Sequence, residues 1–289
     1  MLLSQLPLAG QLLFALLFGL VIGSFLNVLI LRLPRKMYAE HAAECAGGEG
    51  VDPPPNRLFG LDFLIDPPST CPSCGHGIHA WENIPVISWL LLRGRCSNCG
   101  SPISIRYPLV ELLTGSLTVC VVWQFGPTLE ALALSFLLWG LLALTMIDID
   151  EQLLPDQLTL PLLWLGLLLN LNDTFAPLGD AVIGAAAGYF SLWLVFQLFR
   201  LLTGKEGMGY GDFKLFALFG AWLGWQMLPL ILLLSSLVGA LVGISMILFR
   251  GRDHQVPIPF GPYLAMAGVI AIFWGDQLTQ AYLQIAGLH

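Results

Sequence analysis

LEALALSFLLWGLLALTMIDID, residues 129–150, is the stretch that decides the fold. From Ala131 to Ile147 it carries no charge, and then it runs directly into Asp148 and Asp150. A helix needs ~20 such residues to cross the hydrocarbon of a bilayer, so this segment reads as a membrane span with a carboxylate at its mouth. Carboxylates beside hydrocarbon are expensive, and they persist where they have work to do. A second one, Asp212, ends Gly209-Tyr210-Gly211-Asp212, again at the edge of an apolar run.

The rest of the chain agrees with that reading. Its 289 residues are 56% hydrophobic and 11% charged, and the mean hydropathy is +0.78. A soluble domain carries roughly 25% charged residues, so composition alone points to a membrane protein. Apolar stretches at about 8–31, 108–126, 129–147, 157–171, 179–202, 213–225, 227–249 and 259–284 predict an all-α polytopic membrane protein with about eight transmembrane helices. The stretches 157–171 and 213–225 are short for a span and suit tilted or partly re-entrant helices. Lys and Arg total 12 and form no basic stripe, which excludes nucleic acid as a partner.

Charge also sets an orientation. The first stretch ends in Arg32, Arg35 and Lys36 and reads as an uncleaved anchor with its N-terminus outside. Eight crossings then put 32–107, 148–156, 203–212 and 250–258 on one face. The basic residues lie in or close to those loops, whereas the opposite loops near 126–130, 171–178 and 225–229 hold none. By the positive-inside rule that face is cytoplasmic, and Asp148 and Asp212 both sit on it.

The expected domains are a first helix over 1–31, a cytoplasmic domain over 32–107 and a helical membrane domain over 108–289. Glu40 to Pro68, rich in Gly, Pro and Glu, reads as a flexible loop. Beyond it, Cys71-Pro-Ser-Cys74 and Cys96-Ser-Asn-Cys99 have the spacing of a zinc ribbon's tetrathiolate site. Gly75 and Gly100 each follow a pair and permit the tight turn that aims both sulfurs at one ion. Four protein ligands make such a zinc structural, and a domain this small depends on it to fold. Disulfides are the competing reading, disfavoured in a reducing cytoplasm. His76 and His79, beside the first knuckle, are either surface groups or replacements for a sulfur. Cys45 and Cys120 have no partner in this pattern.

Asp148 has a plainer reading, and Asp212 is harder to dismiss. Asp148, Asp150, Glu151 and Asp156 suit a solvated loop, with Asp156 near a helix start where an anion complements the dipole. The alternating Gly207, Gly209 and Gly211 predict backbone conformations closed to other residues and a close peptide approach before Asp212. Lys214, two positions on, is expected to point away from Asp212 and snorkel to the interface. Brought together, Asp148 and Asp212 would hold one proton between them and activate water, the chemistry of an aspartic protease. None of the five histidines has a Ser or Cys catalytic setting, and no His-Glu-x-x-His pattern exists.

Taken together these residues resemble the bacterial type IV prepilin leader peptidases that are also N-methyltransferases. The resemblance rests on Gly23-Ser-Phe-Leu-Asn-Val28 with Arg32-Leu-Pro34, the four cysteines, Trp81-Glu-Asn-Ile-Pro85, Arg106-Tyr-Pro-Leu-Val-Glu111, Asp148 with Leu154-Pro-Asp156, and Gly209-Tyr-Gly-Asp212-x-Lys214. It implies catalytic Asp148 and Asp212, and an enzyme of the bacterial inner membrane with its active site facing the cytoplasm. It implies cleavage of the basic leader of type IV prepilins and type II secretion pseudopilins after a glycine. Methylation of the new N-terminus from S-adenosylmethionine follows. No Rossmann glycine fingerprint is present for that cofactor, and its candidate ligands are Glu82, Asn83, Tyr107, Glu111 and Asn27, each with an equally good structural role. Asp150, Glu151 and Glu206 are expected to attract the leader's positive charge. The alternatives are a peptidase without methyl transfer and an ion transporter with a carboxylate relay; the latter leaves the cysteine segment unexplained.

Overall fold

A computed structural model describes residues 5–45, 62–65, 68–250 and 259–285. Every one of the eight apolar stretches is a helix, and no strand forms among the described residues beyond two isolated bridges. The protein is an all-α polytopic membrane protein. Residues 251–258 of the loop 250–258, and most of the Glu40–Pro68 segment, lie outside the described residues.

The chain divides into two compact units at Ala143 and Leu144. In the first, α1 spans Leu8–Cys45. It was expected to stop near Leu31, yet it continues past Pro34 because Met37 to Cys45 is composed of good helix formers braced by the Lys36–Glu40 pair at 3.7 Å. At 38 residues it is about 57 Å long, so about half of it stands clear of a ~30 Å hydrocarbon layer. The short α2, Asp62–Ile65, is tied to it by the Arg32 guanidinium donating to the Phe63 carbonyl at 2.9 Å. After α3 (Ile87–Leu91) the chain enters α4 (Arg106–Phe125) and α5 (Leu129–Glu151), the last continuing beyond the division.

α1 and α4 approach closely because small residues line their seam. A Cβ on Gly23 would lie 2.6 Å from the Glu111 Cα, and one on Gly19 would lie 2.8 Å from the Gly115 Cα. Lipid tails are as apolar as leucine, so this contact is stabilised by van der Waals packing rather than by the hydrophobic effect. Trp139 on α5 adds an indole hydrogen bond to the Thr118 hydroxyl at 3.0 Å, a contribution of about 0.6 kcal/mol.

The second unit is built around one short helix. After α6 (Asp156–Leu169) and α7 (Leu178–Thr203), α8 covers only Tyr210–Leu223. α9 (Leu228–Arg250) and α10 (Gly261–Ile285) complete it. Phe213 and every side chain from Leu215 to Trp222 are buried, against α6, α7 and α10. Gly184 and Gly188 of α7 lie on the backbone of α8 near Gly220 and Phe216, which fixes their close crossing. Asn170, fully buried, donates to the Ala221 and Trp222 carbonyls at 2.9 and 3.1 Å. Its Oδ1 accepts from the Phe175 and Ala176 N–H groups, so one amide satisfies two carbonyls in the last turn of α8 and two N–H groups of the turn that follows Asn170.

Among the described residues, five helices are long and apolar enough to cross a membrane: α1, α4, α5, α7 and the segment Trp225–Met246 containing most of α9. The helices α6 and α8, 14 residues each, answer to the two stretches expected to be short.

Candidate active site and metal centre

Asp148 occupies the last turn of α5. The helix ends at Glu151, Gln152 turns the chain with φ +53°, and Leu154-Pro155 leads into α6. Asp148 is only 5% exposed, and its Oδ2 has no hydrogen-bond partner among the described residues. The first residue of α10 closes over it: a Cβ on Gly261 would lie 2.5 Å from that oxygen.

Asp212 is the third residue of α8, 6% exposed. Its Oδ2 accepts the N–H of Gly209 at 3.2 Å, a back-bond that satisfies one of the orphan donors at the helix start. Asp148 lies within its electrostatic reach. Asp148, which takes a backbone hydrogen bond from Gly261, and Asp212, which takes one from Gly209, are therefore two buried carboxyls of the same unit. An isolated ionised pair there would be strongly destabilised, which favours a shared proton.

The glycines before Asp212 work differently from expectation. Gly209 has φ −82°, and neither Gly207 nor Gly211 has a positive φ, so no unusual backbone conformation is required. Space is what matters: a Cβ on Gly211 would sit 2.7 Å from the Cβ of Leu154. Lys214 also departs from the expected snorkelling. Its ammonium lies 2.7 Å from both carboxylate oxygens of Asp156, the first residue of α6, and so ties α6 to α8. Gly261 escaped the sequence reading. Its signal was a glycine wedged between Phe260 and Pro262 at the start of the last span.

The four cysteines converge, with all four sulfurs within 4.8 Å of one another and Cys71 and Cys99 3.8 Å apart. Both knuckles are built alike. Gly75 donates to the Cys71 carbonyl with φ +70°, and Gly100 donates to the Cys96 carbonyl with φ +72°, conformations that favour glycine. The Ser101 hydroxyl beside Cys99 lowers its thiol to about 6, which favours the thiolate a metal needs. The donor set fits a tetrahedral structural zinc. His76 and His79 take no part in this set; they group with Glu82 instead. Cys45 and Cys120 are exposed and unbridged.

The five residues considered for S-adenosylmethionine fall into separate contacts. Asn27 donates to the Tyr107 carbonyl at 3.1 Å. Ser24 links Asn83, at 3.4 Å, with Glu111. Glu111, 7% exposed, also accepts the N–H of Val86 at 2.7 Å, holding that residue at φ +60°. Glu82 turns away toward the histidines. Asn27 and Tyr107 line one cavity of about 180 Å³.

This is a polytopic helical membrane protein with a buried pair of carboxyls and a tetracysteine metal knot. The bacterial peptidase A24 N-terminal domain matches residues 17–125, and the type IV leader peptidase family matches 135–244. Three proteins named prepilin leader peptidase/N-methyltransferase are similar along almost their whole length. That of Pseudomonas aeruginosa is 57% identical over 271 residues, covering 94% of this chain and 93% of its own. That of Aeromonas hydrophila is 60% identical over 272 residues, 92% of each. That of Stutzerimonas stutzeri is 56% identical over 274 residues, 95% and 94%. No solved structure matches. The chain belongs to the type IV leader peptidase family.

Proposed function

We propose that this chain is a bifunctional enzyme of the bacterial inner membrane that removes the basic leader of type IV prepilins and pseudopilins and then N-methylates the exposed residue. The names of its relatives support both activities, and methyl transfer implies S-adenosylmethionine as donor. The single observation behind the proteolytic assignment is the pair of buried carboxyls, Asp148 and Asp212, within electrostatic reach of one another.

In this reading the two share one proton. The ionised member takes a proton from water, whose oxygen attacks the scissile carbonyl carbon. The protonated member donates to the carbonyl oxygen as it becomes a hydroxyl. On collapse the C–N bond breaks, the amine leaves with the proton taken from water, and the hydroxyl proton returns to the dyad. Asp156 serves by holding the Lys214 ammonium, which ties the start of α6 to α8, the helix that carries Asp212. The site faces the cytoplasm, where the substrate's hydrophobic helix stays in lipid and its leader reaches the loops. Leader attraction falls to the exposed Asp150, Glu151 and Glu206, the last standing 3.9 Å from Arg200. Zinc on the four cysteines holds the segment 71–99 together.

Replacing Asp148 or Asp212 by Ala should abolish prepilin cleavage in reconstituted membranes. Methylation of pilin that has already been cut should survive. Near-normal cleavage by either variant would overturn the dyad.

A further inference from the structure

We propose that His76, His79 and Glu82 form a second metal site, separate from the cysteine tetrad, that binds a divalent cation of the zinc class through three protein donors and leaves a fourth position open.

The site follows from local chain geometry. Gly77 bridges back to Thr70 and holds His76 beside the first knuckle. His79 caps the single 3-10 turn Ala80–Asn83, and Glu82 stands three residues on. Glu82 Oε2 accepts the His79 N–H at 2.8 Å, which folds the carboxylate back over the imidazoles. The side chain of Glu82 is only 5% exposed. One donor atom from each of the three residues then lies within 4.8 Å of the others.

Two further observations point to a ligand. His76 Nε2 is buried and makes no hydrogen bond among the described residues, an arrangement that is unfavourable unless something fills it. It stands 3.5 Å from Glu82 Oε2, outside hydrogen-bonding geometry. Two ligands held about 2.1 Å from one tetrahedral ion are about 3.4 Å apart, which is this spacing. The Ser97 hydroxyl, from the second knuckle, hydrogen-bonds Glu82, the kind of support that orients a ligating carboxylate.

The donors also choose the metal. Two imidazoles and a carboxylate suit zinc and its first-row neighbours better than magnesium or calcium, which prefer oxygen. Because the four sulfurs complete their own set, neither histidine is needed there. Three protein ligands leave room for water or an anionic ligand, in contrast to the closed tetrathiolate site.

The competing arrangement is an imidazolium–carboxylate ion pair without metal. Zinc content of the full-length protein in detergent, equilibrated with zinc and desalted, separates them. The expected result is about two equivalents per chain, falling to about one in His76→Ala and in Glu82→Gln. Cobalt substitution provides a second readout: thiolate-to-cobalt absorption from the tetrad should persist in both variants and so report that the ribbon is folded. A wild-type protein that saturates at one equivalent overturns the proposal whatever the variants do. So does a second equivalent that remains when His76 and Glu82 are both replaced.

Discussion

Gly261 and Asp148 are in contact so close that the glycine cannot acquire a side chain: a Cβ would stand 2.5 Å from the carboxylate oxygen and 3.2 Å from its carbon. The start of α10 therefore acts as a wall against which the carboxyl is positioned. A third contact, with Leu154 Cδ1 at 3.3 Å, ties the same wall to the turn after α5.

Gly261→Ala should therefore displace Asp148 without emptying the core. A displacement of about 1 Å at a reacting group lowers rate by about 100-fold, and kcat for cleavage should fall by that order while KM changes little. Wild-type kcat in this variant would show that the contact does not position the acid.

Lys214 and Asp156 form a half-exposed pair, for which stability effects of about 0–1 kcal/mol are usual. Their separation should show in catalysis instead. Asp156→Asn and Lys214→Met each cut the tie between α6 and α8, so both should lower cleavage to a similar degree and the double variant should be no worse than either. Wild-type cleavage in both single variants would remove this role.

Reversing Asp150 and Glu151 to Lys should raise KM for a prepilin with a basic leader and leave kcat alone. A substrate with a neutralised leader serves as control. Identical kinetics on both substrates would discard the electrostatic attraction.

The Cys99 thiol, lowered from 9.0 to about 6 by the Ser101 hydroxyl, fixes a pH window. A depressed folded-state value favours the folded thiolate fully above pH 9, and this preference is lost as pH falls through about 6. In the folded protein Cys99 is already a thiolate between those values, so its protonation competes with the metal only as pH falls through about 6. Zinc release followed with a chromogenic chelator should steepen toward pH 6; release that does not vary with pH contradicts the thiolate assignment.

Asn170→Ala would leave the Phe175 and Ala176 N–H groups and the Ala221 and Trp222 carbonyls without their buried partner. A loss of about 2–4 kcal/mol is expected, read as a lower melting temperature in detergent. An unchanged Tm would mean that water replaces the amide.

Much of this was legible in the chain. The span ending at Asp148 and the Cys-x-x-Cys pairs are local patterns, and each became the expected helix or knuckle because the nearby residues suffice to form it. Gly261, Lys214 and Asn170 were not legible in the same way. Their roles depend on partners 113, 58 and 51 residues away, and nothing in their own surroundings names Asp148, Asp156 or Ala221. Of the two reasons the glycines of Gly209-Tyr-Gly211-Asp212 suggested, the structure shows a need for space at Gly211 and no positive φ, since a steric requirement and a conformational one leave the same mark on a sequence.

The brevity of α8 bears on biogenesis. Its 14 residues rise about 21 Å, less than the ~30 Å of hydrocarbon, and its apolar surface is taken up by other helices rather than by lipid. Such a segment cannot wait in the bilayer as a finished crossing for its companions to arrive. Its burial depends on α6, α7 and α10, and the acid near its start is enclosed only once these helices have packed.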